Sequence, residues 1–140
     1  MSVVVDRSSS ASANLRWVGP GVMLAGMRGI VTWPAVVGLM TEAHACGVLL
    51  NMRALIVDYR PAVLAMSAAE MSSIQPSGVL SPLAGPIALV ANEIDMPALR
   101  AHSEAMARRG MWRRTFLDTL TAYEWLECVL SGRSILDPCA

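Results

Sequence analysis

Two short, wholly apolar runs constrain this 140-residue chain more than any other feature. Ala54 to Val57 reads Ala-Leu-Ile-Val and stops at Asp58, and Ile87 to Ala91 reads Ile-Ala-Leu-Val-Ala before Asn92, Glu93 and Asp95. A run this short, bounded by polar residues and lacking any alternation, suits a strand covered on both faces. A third, shorter run, Thr115 to Leu117, ends at Asp118. Leu55 lies 32 positions before Ile87, and Ile87 lies 28 before Thr115. Each interval has room for one helix and suits a right-handed crossover between parallel strands.

The segments between these strands carry helix signals. Thr32 precedes Trp33-Pro34, and apolar residues follow at Val36, Val37, Met40 and Ala43 until Gly47, a first helix with proline in its opening turn. Ser67-Ala68-Ala69-Glu70 has capping-box spacing, so a second helix is predicted to start at Ser67 and end before Pro76. Asp95, with Pro97 in the first turn and Gly110 after the last, frames a third. Asp118 or Thr121 opens a fourth, which Gly132 ends, and Thr121 with Glu124 again has capping-box spacing. Ahead of all these, Leu15 to Val18 and Val22 to Met27 flank Gly19-Pro20-Gly21, turn chemistry that predicts an antiparallel hairpin. The fold class is therefore α/β, a mainly parallel sheet with an N-terminal antiparallel hairpin and four helices. Residues 1–13 read as a mobile leader, 14–131 as one domain and 132–140 as a tail.

Composition removes several function classes. All 11 basic residues are arginine, which excludes Schiff-base and P-loop lysines. The formal charge is zero, so no global field draws in nucleic acid or an anionic membrane. Cys46, Cys128 and Cys139 are odd in number and widely spaced, against a disulfide framework and for a reducing, cytoplasmic setting. The uncharged stretch Met71 to Asn92, apart from its length, is a poor membrane span because Pro76, Pro82, Pro86, Gly78 and Gly85 interrupt it. Gly19, Gly21 and Gly26 have the wrong spacing for a dinucleotide loop. No nucleophile-elbow, zincin or Cys/His pattern occurs, so no catalytic residue, metal ligand or cofactor is assigned.

Several candidates for binding remain. Asp58, Glu93, Asp95 and Asp118 follow the strands, at the edge where open α/β sheets bind ligands, although helix capping accounts for Asp95 and Asp118. His44 and His102 fall on the apolar sides of their helices by spacing, as boundary residues bonded to backbone. Arg108, Arg109, Arg113 and Arg114 surround Trp112 and form the one basic cluster. Arginines ending a helix offset its dipole, and no nucleic-acid partner is expected. Trp33, Trp112 and Trp125 read as core or interface anchors.

The order hairpin, helix, strand, helix, strand, helix, strand, helix resembles a STAS domain, the sulfate transporter and anti-sigma factor antagonist fold. The resemblance covers about Leu15 to Leu130 and is nearest to bacterial proteins similar to the sporulation stage II anti-sigma factor antagonist. It is carried by Arg53-Ala54-Leu55-Ile56-Val57-Asp58-Tyr59-Arg60, by Pro86-Ile87-Ala88-Leu89-Val90, and by Thr115-Phe116-Leu117-Asp118 with Ala122-Tyr123-Glu124-Trp125-Leu126. It implies a non-enzymatic regulatory module that docks a protein partner and self-associates. Asp58, Tyr59, Arg60, Ser67 and Asp95 are the candidate partner- or ligand-binding residues. The family's phosphorylated serine has no counterpart beside Asp58, where the chain reads Asp58-Tyr59-Arg60-Pro61, and Ser67 is explained as a cap. The alternative is a binder of a lipid or an anionic metabolite in a pocket above Asp58, Arg60 and Asp95.

Overall fold

A computed structural model of the chain describes residues 2–8, 11–73 and 84–132. Strands β1 (Ser2–Ser8), β2 (Ala11–Gly19) and β3 (Val22–Val31) form an antiparallel meander, and helix α1 (Trp33–Ala45) leads to β4 (Ala54–Asp58). A three-residue strand β5 (Ala62–Leu64) and a short helix α2 (Ala68–Ser72) follow. Then come β6 (Ile87–Val90), α3 (Met96–Arg108), β7 (Arg113–Phe116) and α4 (Thr119–Leu130). The sheet order is β1-β2-β3-β4-β6-β7, and β5 pairs with the far end of β3. Pairing is parallel from β3 through β7, with the antiparallel strands at one side. This is the expected mainly parallel α/β sheet.

Two differences lie at positions where the pattern is faint. The segment read as a leader contributes β1, and Ala11 and Ala13 of β2 are buried, so the sheet begins well before Leu15. The β-branched run Val3-Val4-Val5 suits a strand once β2 offers it a ladder. The second addition is β5, whose pairing Gly29↔Ala62 to Val31↔Leu64 continues β3 beyond the end of β4.

Period-2 alternation divides the core in two. Met23, Ala25, Met27, Leu55, Val57, Ile87 and Leu89 face one layer, together with Leu39 and Ala43 of α1 and Leu99 of α3. Val22, Leu24, Ala54, Ile56, Ala88 and Val90 face the other, against Ala122, Trp125, Leu126 and Val129 of α4. Trp112 meets Trp125 edge-on at 6.2 Å between ring centroids, so both serve packing, and Trp33 packs on the first layer.

The caps follow the sequence in three cases of four. Thr32 accepts from the Ala35 amide, Ser67 and Glu70 make both bonds of the capping box, and Asp118 accepts from the Thr121 amide. Thr121 is thus inside α4 and does not start it. Asp95 precedes α3 but makes no side-chain cap bond. Its amide instead donates to Asn92 Oδ1 at 2.8 Å. Gly21, at φ +74°, turns the hairpin and offers its carbonyl to the Arg53 and Ala54 amides, which brings β4 alongside β3. Cys46 is a free, exposed thiol, but Cys128 is disulfide-bonded, contrary to the expectation drawn from cysteine spacing. Among the described residues no helix is long and apolar enough to cross a membrane. The described ends of the Met71 to Asn92 stretch fall in α2 and β6, and its middle lies outside the described residues.

Candidate functional site

The residues around the end of β4 separate onto the two sides of the sheet. Asp58 follows Ile56 on the α4 side, and Arg60 folds back onto it, with Nε to Oδ1 and Nη2 to Oδ2 both at 2.9 Å. The fork is bidentate and raises the Arg60 pKa, chiefly through the hydrogen bond to Asp58. Asp118 at the start of α4 adds to the same field. Its own carboxyl is held below its ordinary value, first by the Thr121 amide, then by the Thr121 hydroxyl, with Arg60 a smaller contributor. Asp58, Arg60 and Asp118 therefore make one charged group at the carboxyl edge, where the sequence set Asp58 and Asp118 beyond the strand ends and Arg60 beside Asp58, while Asp95 takes no part in these bonds.

Exposed apolar side chains occupy this same edge. Ile94, in the loop after β6, is 89% exposed, and Leu120, in the first turn of α4, is 67% exposed. Leu117 is also exposed, as are Ile30 and Val63, which are ladder partners on β3 and β5. Leu117 and Asp118 line an open depression of about 370 Å³ between α3 and α4 along β7. Removing large apolar side chains such as these from water is favourable in proportion to the area buried.

Tyr59 points the other way. It is buried in the first core layer, and burial pushes its hydroxyl up to about 12. With His102 of α3 and Arg113 of β7 it lines a cavity of about 90 Å³ between the sheet and helices α1 and α3. Met27, Met40 and Met106 supply part of the apolar wall. His102 is buried and bonds the Ser72 hydroxyl through Nδ1 at 3.2 Å, not the backbone as its helical spacing suggested. Burial, and then the charge of Arg113, lowers its pKa to about 4, so it is neutral at physiological pH. Arg113 donates to the carbonyls of Gly85 and Trp112 at 2.7 and 2.9 Å, and burial lowers it to about 10. A larger open groove of about 650 Å³ beside the hairpin turn is lined by apolar side chains such as Trp17, Met23 and Leu50, and the polar side chains on its rim, Arg16, Cys46 and Asn51, are all exposed.

The remaining candidates do not assemble into one site. Ser67 is engaged in the capping box. Asp95 sits in the loop that opens α3, with no cap bond of its own. The four arginines also diverge. Arg113 is buried on the α3 side, while Arg114 lies on the opposite face over the Phe116 ring at 5.5 Å. Arg109 donates to the Ser72 carbonyl at 2.7 Å and ties α3 to α2, and Arg108 is exposed in the last turn of α3. His44, placed on an apolar face by its spacing, is exposed because α1 turns that flank outward. Among the described residues no group of three or more His, Cys, Asp or Glu could hold a metal ion. No protein-family model matches the chain, and no curated protein matches it either.

Proposed function

We propose that the chain is a non-enzymatic regulatory module that docks a protein partner and self-associates, as its resemblance to STAS domains implies. The observation that carries this reading is the exposed apolar edge formed by Ile94, Leu117 and Leu120, set beside the Asp58, Arg60 and Asp118 charges. Apolar anchors rimmed by charge are the composition of a protein interface. Asp58 and Arg60 fix orientation and register, and the leucines and isoleucine supply the buried area.

The test compares the wild-type chain with an Ile94→Asp, Leu120→Asp double variant, both positions being exposed enough to leave the fold intact. Affinity capture from the source cells should recover a protein with the wild type that the variant fails to hold. Sedimentation should show a concentration-dependent oligomer that the variant lacks. Identical captured sets and identical sedimentation would remove this edge from consideration. The reading places the chain in the cytoplasm, and the disulfide at Cys128 is the observation against a strongly reducing setting. Thiol alkylation in intact source cells decides the point, since a Cys128 that resists modification until reduced places the protein in an oxidising compartment.

A further inference from the structure

We propose that copies of this chain associate head to tail, the acidic apolar edge around Ile94 and Leu120 of one copy seating in the groove beside the hairpin turn of the next. The inference rests on the self-association read above and adds which two surfaces meet and with what symmetry.

The two surfaces lie at opposite edges of the sheet. β6 and β7 are parallel neighbours, and the Ala91 amide donates to the Phe116 carbonyl, so the loops that carry Ile94 and Leu117 to Leu120 leave the sheet side by side at its carboxyl edge. The groove lies where β3 and β4 begin, between the Gly19-Pro20-Gly21 turn and the Cys46 to Asn51 segment that leads into β4. β3 and β4 run parallel to β6 and β7, so the two surfaces point away from each other along the strand direction.

Shape and charge match across them. Ile94, Leu117 and Leu120 project into water at one edge, and at the other the groove is a hollow of about 650 Å³ whose wall includes the exposed Trp17 and Leu50. Seating one in the other removes apolar area of both from water. Around the projecting side chains Asp58, Glu93, Asp95 and Asp118 outnumber Arg60 and Arg100, which leaves that edge acidic. The groove lining holds no Asp or Glu, Arg16 is part of it, and the Arg53 stem lies against Gly21 on its rim. Among the described residues neither Arg16 nor Arg53 makes an ion pair. Opposite charge therefore selects edge against groove, whereas two carboxyl edges face to face would oppose like charges. A contact between unlike surfaces that point in opposite directions does not close at two copies, so it builds an open chain of them.

The purified full chain is sedimented from about 10 μM to 1 mM, a range that brackets a weak contact. The wild type should gain mass with concentration without stopping at a dimer, and added salt should reverse the gain. Leu50→Asp blocks the groove and the Ile94→Asp, Leu120→Asp double variant blocks the edge, all three positions being exposed. Each variant alone should stay monomeric, while an equimolar mixture should form a species of two chains and nothing larger, because one intact groove and one intact edge remain to pair. That species also shows both variants to be folded, and Leu50→Ser mixed with Leu120→Ser repeats the experiment without a new charge. Cys46, an exposed thiol in the groove, reports occupancy: its alkylation should slow as wild-type concentration rises and should not slow in Leu50→Asp. The proposal is overturned by a Leu50→Asp protein that assembles like the wild type, which marks an isologous contact, or by both mixtures staying monomeric. A wild type that stays monomeric yet holds a captured protein through Ile94 and Leu120 overturns the head-to-tail contact and leaves the docking edge standing.

Discussion

Replacing His102 with glutamine should remove a defined part of the acid sensitivity of this protein. The folded-state pKa is about 4, against an ordinary value of 6.5, lowered by burial and by Arg113. Well above pH 6.5 the imidazole is neutral in both states and costs nothing. As the pH falls through 6.5 the unfolded chain takes up a proton that the folded chain refuses until about pH 4, so the equilibrium moves toward unfolding across that window. The gap of roughly 2.5 units, at about 1.36 kcal/mol each, amounts to about 3 kcal/mol. Urea denaturation followed by tryptophan fluorescence should be run on both proteins from about pH 7 to pH 4. The stability advantage of the wild type over His102→Gln should shrink by about 3 kcal/mol across the range. Asp118, whose lowered pKa withdraws stability as the pH falls through its folded value, is present in both proteins and cancels in the difference. A difference that stays flat with pH would refute the assignment of His102 as a buried neutral imidazole.

Three further outcomes are expected. Val57→Asp puts a charge into the first core layer between β3 and β6, and should cost about 3 to 5 kcal/mol in thermal or chemical denaturation. Ser67→Ala should lose about 0.5 to 2 kcal/mol while Ser67→Asp stays near neutral, since both bonds of the capping box are in place and aspartate also caps well. Fluorescence anisotropy at about 0.15 M salt should show no binding to duplex or single-stranded nucleic acid, because Arg113 is buried and Arg114 lies on the other face. Micromolar, salt-sensitive binding lost in Arg108→Ala, Arg109→Ala would contradict this.

The strands that could be read in the sequence were those whose burial is total. Ala54 to Val57 and Ile87 to Val90 are apolar at every position because both faces of the sheet are covered, and their short length between polar boundaries marks them as strands and not buried helix. Gly19-Pro20-Gly21 marked the hairpin for an equally local reason, a turn that needs positive φ at Gly21. β5 escaped because three residues carry no period, and its existence depends on β3 outrunning β4. The site residues were legible in part. His102 stands three positions after Leu99 and four before Met106, so its inward direction was visible, but its partner Ser72 is thirty residues away on another helix. The burial of Arg113 depends on its ladder position opposite Ile87. In the sequence it is one of four similar arginines. Asp58 and Arg60 were singled out together and do pair, whereas Tyr59 between them turns to the opposite side, as strand alternation requires.

β3 takes part in three ladders at once, and this bears on the order in which the molecule assembles. Its antiparallel partner β2 is joined to it by a tight turn, whereas its parallel partners β4 and β5 arrive only after α1 and the following loop have been threaded. A hairpin of this kind closes in microseconds, but the crossovers that bring β4, β6 and β7 into line must first close longer loops, which slows chains rich in non-local pairing. The meander can therefore stand as a template before the parallel half exists. In a chevron experiment, truncating Met23 or Leu24 should slow refolding, while truncating Leu126 on the last helix should mainly hasten unfolding. The final stage would then be the closure of α4 over Ile56 and Val90, which also brings Asp118 into the field of Arg60, so the proposed docking edge would be the last part of the molecule to form and the first to be lost.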